Sequence, residues 1–309
     1  MAAEAGVKSG ELQKRIDDLD NSFHLQKERA DKPILWVLGN KKDPHEFLFH
    51  RFVLYGDGTT LFADMTRQAK LNEEQVKELL RWALQQTELI PPGEAGQFTN
   101  VSKFAAAGPE SVLLIDLKEQ GVLINFHFYP QAFSFSGGRY AGRREDFEFY
   151  LTPEARQKIL TQISNVINTL EHFTYNPSIP YLPERMILSL KHAFYVWPSK
   201  EIAPELSPRE PGISKLAESA DRVKVEVIEE NEKRGAEGNQ WGGEWAVPNP
   251  RATFKGEAVR WIFSVLEKGK GGLKGCVKVG DQYYWATYAL IPPGFDDSSV
   301  LIDKVGKAK

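Results

Sequence analysis

The stretch His50–Met65, HRFVLYGDGTTLFADM, and its continuation Lys70–Ile90, KLNEEQVKELLRWALQQTELI, decide how the chain is built. Asp57-Gly58 stands between two apolar, β-branched and aromatic runs: Phe52, Val53, Leu54 and Tyr55 before it, Thr59, Thr60, Leu61 and Phe62 after it. Asp tolerates positive φ and Gly adopts it freely. The pair therefore predicts a hairpin with a two-residue loop and positive φ at both central positions. Downstream, Asn72 is placed to cap a helix, with Gln75 at the reciprocal capping-box position. Val76, Leu79, Leu80, Ala83 and Leu84 fall on one helical face, and Glu73, Glu74, Lys77, Glu78, Arg81 and Gln85 on the other. Pro91 and Pro92 forbid continuation.

The same signals recur outward from this unit. Residues 34–40, ILWVLGN, read as a short buried strand. SVLLIDLKEQGVLINFHFYP predicts a second hairpin turning at Lys118–Gly121. LTPEARQKILTQISNVINTLEHF predicts a helix with Thr152 as N-cap, Pro153 in the first turn and a stripe of Ile159, Ile163, Val166, Ile167 and Leu170. Ile187–Trp197 reads as extended, and Arg222–Ile228, RVKVEVI, alternates as a half-exposed strand should. GEAVRWIFSVLEK predicts a third helix with Ala258, Val259, Ile262, Phe263 and Leu266 on its face. CVKVGDQYYWATYAL predicts a third hairpin turning at Gly280-Asp281.

Short turns impose antiparallel pairing, so the fold class is α+β: antiparallel hairpins and sheets packed with amphipathic helices, in two related lobes. The expected organisation is a helical arm over 1–33, a lobe over 34–197, a linker or long loop over 198–221 and a C-terminal lobe over 222–309. In the arm, Leu12, Ile16, Leu19 and Phe23 have seam-like 4-3-4 spacing over two heptads only. The spacing fits a surface helix docked on the body. Self-association through residues 10–25 is the other use of such a stripe.

Composition narrows the function classes. A net charge of -3 and a pI of about 6.1 argue against a nucleic-acid-coating surface. The single cysteine, Cys276, excludes an intrachain disulfide and any multi-cysteine metal site. No apolar run approaches the roughly 20 residues that span a bilayer. As written, the chain shows no export signal, so a cytoplasmic location is expected, with the cell envelope as the alternative if an export signal was removed.

The hairpin FVLYGDGTTLF followed by LNEEQVKELLRWAL resembles a recurring unit of uncharacterised bacterial envelope proteins, many of them lipoprotein-like. PYLPERMILSL with VWP, and the terminal GEAV helix with VGDQYYWATYALIPP, are similar to later parts of the same proteins. The resemblance implies an envelope setting and brings no activity, cofactor or catalytic residue with it.

Candidate chemistry is sparse. His45 and His50 are five apart, which is not a metal-ligand spacing. They could join His127 in a metal site, and so in a metal-dependent hydrolase or other enzyme, if the first two hairpins pair. Solvated or hydrogen-bonded histidines are the plainer reading. Ser136–Arg144, SGGRYAGRR, offers glycine-freed N–H groups and the guanidinium groups of Arg139, Arg143 and Arg144 to an anion. Trp241 and Trp245 lie in the glycine-rich QWGGEW, a context suited to partner contact. No G-x-S-x-G elbow is present, and Cys276 beside a strand reads as an inert thiol. The reading is a non-enzymatic binding or scaffolding protein that takes a protein partner and needs no cofactor or metal. Trp241, Trp245, Arg139, Arg143 and Arg144 are its candidate binding residues.

Overall fold

The computed structural model describes residues 13–14, 16–39, 47, 49–87, 111–117, 122–128, 153–192, 203–207, 211–236, 249–268 and 274–300. They form an α+β protein with two antiparallel sheets. The chain divides into two compact units. The first runs over Met1–Leu182 and resumes at Pro293–Lys309; the second is Pro183–Pro292.

The first unit is built on a seven-stranded sheet. Its strands are β1 (Pro33–Gly39), β2 (Phe49–Tyr55), β3 (Thr59–Phe62), β4 (Arg67–Lys70), β5 (Ser111–Leu117), β6 (Val122–Phe128) and β7 (Ile179–Pro180), in the order β6-β5-β1-β2-β3-β4-β7. The β2–β3 hairpin forms where expected, but its loop is different. Val53 faces Leu61 and Leu54 faces Thr60, which leaves Gly56, Asp57 and Gly58 between the strands. Tyr55 C=O accepts from Gly58 N–H at 2.9 Å. Gly58 alone takes positive φ, at 85°. A three-residue loop needs left-handed backbone only at its last residue, so the sequence Gly-Asp-Gly satisfies it with one glycine and leaves Asp57 unstrained. The Asp57 carboxylate instead accepts from Thr59 N–H (2.8 Å) and Thr59 Oγ1 (2.9 Å), an Asx turn that closes the loop.

Two long helices cover one face of this sheet. Helix α2 (Glu73–Gln86) carries the full capping box, Gln75 N–H to Asn72 Oδ1 and Asn72 N–H to Gln75 Oε1, each 3.0 Å. Helix α3 (Pro153–Glu171) starts at its proline. Val76, Leu80, Ala83 and Leu84 from α2 and Val166, Ile167 and Leu170 from α3 join Leu35, Val37, Phe52, Leu54, Leu113 and Ile115 of the sheet in one core. The N-terminal stripe belongs to that core as well. Residues 16–22 are helical (α1), Ile16, Leu19 and Phe23 are buried, and Leu19 and Phe23 pack in the same cluster. Three of the four stripe residues are thus buried within the chain. Leu12 lies outside the described residues.

The second unit holds a four-stranded sheet, β10 (Lys274–Val279), β11 (Gln282–Ile291), β8 (Arg185–His192) and β9 (Arg251–Lys255), in that order. The β10–β11 turn at Gly280-Asp281 has two residues, with Val279 facing Gln282 and Gly280 at φ 59°. Helix α5 (Glu257–Lys268) buries Val259, Ile262 and Leu266. The segment expected as a strand, Arg222–Ile228, is helical instead and belongs to α4 (Pro211–Ala236), which also takes up part of the expected linker. Pro211 stands at the first position, and Ile213, Leu216, Ala217 and Ala220 are buried at helical spacing. A helix nucleated on that face extends at one hydrogen bond per residue, and this outweighs the β preference of three alternating valines. Gly212 in the first turn lets Phe254 of β9 approach; a Cβ there would lie 2.7 Å from the ring. Among the described residues, no helix is long and apolar enough to cross a membrane.

Candidate functional site

Four ionisable side chains of the first unit, His50, Arg51, Asp64 and Glu171, gather around one irregularity in β2. Val37 of β1 faces Phe52 and Leu38 faces His50, so Arg51 is an extra residue. This is a β-bulge. An extra residue breaks the two-residue alternation and re-aims the side chains around it. Phe52 enters the core, its ring 5.1 Å from that of Phe173. His50, which would share its face in a regular strand, meets Phe295 instead, at 4.3 Å between ring centroids.

Arg51 is buried and ion-paired to Asp64, with Glu171 Oε1 3.9 Å from its Nε. Glu171 is the last residue of α3, where the helix dipole disfavours a carboxylate; Arg51 offsets that. Asp64 is the middle of three successive non-glycine residues with left-handed φ: Ala63 51°, Asp64 55° and Met65 65°. Such backbone costs about 1–2 kcal/mol per residue. Thr66 steadies the turn by donating N–H and Oγ1 to Ala63 O, and Met65 is buried. Gly39 flanks the cluster because a Cβ would collide with Glu171 Oε1 and lie 3.1 Å from Arg51 Nε. One cation between two carboxylates is a structural clamp, not an anion site.

On the other side of the bulge, His50 Nε2 lies 3.4 Å from Ser299 Oγ. Ser299 Oγ donates to Asp296 O at 2.7 Å, so the ring N–H is assigned to Nε2 and points at Oγ. His50 Nδ1 is buried and meets no hydrogen-bond partner. Burial alone pushes the ring down to about 3. A Ser–His pair needs a base that takes a proton near working pH and an orienting group on its second nitrogen. His50 has neither, and Ser299 has spent its proton elsewhere.

Of the proposed histidine set, only the His50 side chain is among the described residues. The premise of the set is pairing between the first two hairpins, but β1 and β5 stand between β2 and β6. His50 faces Leu38, Leu38 faces Val112 and Val112 faces His127, which puts the two histidine backbones three strand spacings, roughly 14 Å, apart. His45 and the His127 side chain lie outside the described residues. No group of three metal-ligating side chains occurs among the described residues. Arg139, Arg143, Arg144, Trp241 and Trp245 also lie outside them.

In the second unit, Cys276 is half-buried and its thiol is pushed up by desolvation, the opposite of an activated thiolate. Its register partner across β10–β11 is Trp285, which faces Lys191 of β8 on its other side. Trp285 is 38% exposed, while its neighbours Tyr284 and Ala286 are buried. Tyr284 Oη donates to the Asp221 carboxylate at 3.1 Å, and desolvation, then Asp221, raises the phenol well above its usual range. Alternation in QYYWATYAL puts Trp285 on the strand face opposite Tyr284. Comparison with family models, with curated proteins and with solved structures finds no match for this chain.

Proposed function

We propose that this chain is a non-enzymatic binding or scaffolding module that engages a protein partner through exposed aromatic side chains. Trp285 carries the reading. Indole rings are costly to leave in water and are over-represented among residues that dominate protein interfaces. Trp285 presents such a ring from a strand otherwise fixed by buried Tyr284, Ala286 and Tyr288, so little ordering is required on contact. Trp241 and Trp245 are proposed as a second contact. The groups with catalytic potential around the bulge support the same reading, because each is committed: Arg51 to carboxylates, Ser299 to a carbonyl, His50 to an enclosed neutral state.

The test compares the unaltered chain with Trp285→Ala, and separately with Trp241→Ala combined with Trp245→Ala, in cross-linking capture from the native source. The reading expects loss of the same captured protein in at least one variant, with Tm held within a few degrees. Unchanged capture in both overturns it. A large drop in Tm reassigns the rings to the core.

A further inference from the structure

The sequence of the first unit is interrupted at Leu182 and completed from Pro293 onward. The returning segment, Pro293–Val300, lies along β1 and β2 on the side away from α2 and α3. Tyr55 Oη donates to Pro293 O at 2.9 Å. Gly294, at φ 79°, sits so close to Asp31 that a Cβ would collide with its carbonyl. Phe295 meets Trp36 edge-on at 5.6 Å and His50 at 4.3 Å. Ser299 faces His50, and Val300 is buried. The segment is a strap, and one of its clasps is an imidazole with an orphaned, enclosed nitrogen.

We propose that His50 makes this strap proton-sensitive: charging the ring opens Pro293–Val300 while the helix-covered core stays folded. The geometry supplies the reason. A second ring N–H on Nδ1 would be buried with no acceptor, and the Phe295 ring beside it offsets only a small part of the cost of enclosing the charge. Lifting the strap takes Phe295 and Ser299 off the ring and opens a route to water. Among the described residues, the ionisable groups around it do not relieve that charge. Arg51, adjacent in sequence, is itself a cation and is held by Asp64 and Glu171. Asp296 Oδ1 receives Ser299 N–H, and Asp297 begins the short 3-10 turn over Asp297–Val300. Trp36 and Leu38 of β1 are neutral. The low value near 3 agrees, since burial alone sets it.

Hydrogen exchange on the full chain at pH 7.5 and pH 5.0, corrected for intrinsic rates, is the test. Once opened, the ring titrates near its ordinary value, so opening at pH 5.0 is favoured about 30-fold over pH 7.5. The expected result is a fall of that size in protection over 294–300, with the α2 amides unchanged and no fall in His50→Leu. Equal protection at both pH values overturns the proposal, as does a fall that persists in His50→Leu. Should His50→Leu not fold, ring-proton NMR of the unaltered chain decides. Charging of His50 together with loss of strap protection supports the proposal, and charging with the strap still protected overturns it.

Discussion

Asp64 reaches the buried guanidinium of Arg51 from the centre of a left-handed turn, Ala63–Met65, so a strained backbone delivers the partner of an enclosed cation. The two features explain each other. A β-bulge turns Arg51 toward the helices, and the left-handed turn brings a carboxylate to meet it.

Removing either partner should therefore be unequal. Asp64→Ala strands a buried cation beside Glu171 alone and puts alanine in left-handed backbone; a cost of about 2–4 kcal/mol is expected. Arg51→Met leaves carboxylates that reach solvent and fills the space with a flexible apolar chain, so its cost should be smaller. Urea unfolding of both variants checks the order. Equal losses would mean that the pair does not act as described.

Gly58 and Gly256 both take positive φ, but only Gly58 is crowded. A Cβ at Gly58 would collide with the Leu71 carbonyl, whereas nothing lies within 4 Å of one at Gly256. Gly256→Ala should cost about 1–2 kcal/mol, the penalty of left-handed backbone alone. Gly58→Ala should cost clearly more, because the Leu71 N–H to Gly58 O bond (2.9 Å) ties the collision to the start of α2. Thermal melts of the two variants give the comparison.

Glu73, in the first turn of α2, fastens the N-terminal segment to the body. Lys77 Nζ at 3.0 Å, Leu25 N–H at 3.2 Å and His24 Nδ1 at 3.1 Å all meet its carboxylate and hold it down to about 2 from 4.5. A depressed carboxyl contributes stability that is present above its unfolded value and lost as pH falls through the folded one. The window here is pH 4.5 to about 2. Glu73→Gln should lower Tm at pH 7 and leave a shallower decline across that window. Parallel acid limbs in the two proteins would refute the assignment.

Tyr284 and Trp285 are neighbours with opposite duties. Tyr284→Phe removes a hydroxyl bound to the Asp221 carboxylate and should cost about 1–2 kcal/mol. Trp285→Ala removes an exposed ring and should cost less than about 1 kcal/mol. Chemical denaturation separates them, and a larger loss at Trp285 would place its ring in the core.

Local chemistry made much of the fold legible. Asn72 and Gln75 announce the start of α2, and Gly280-Asp281 sets a two-residue turn, because each signal acts within four residues. The features that local sequence does not carry depend on distant partners. Nothing in His-Arg-Phe distinguishes a bulge from a regular strand; the extra residue at Arg51 is fixed by pairing with β1 and by Asp64 and Glu171. The valines of Arg222–Ile228 mimic a strand because the nucleus of their helix lies upstream, at Ile213–Ala220. The clasp between His50 and Ser299 joins positions that no local window contains.

The split course of the first unit bears on how the protein is made. A ribosome releases β1 and β2 long before it reaches Phe295 and Ser299, and the intervening residues 183–292 occupy roughly 5–20 s of synthesis. Through that interval Trp36 and His50 lack the cover they carry in the finished chain. A nascent-chain chaperone, or early completion of the inserted unit, would be most useful in that window.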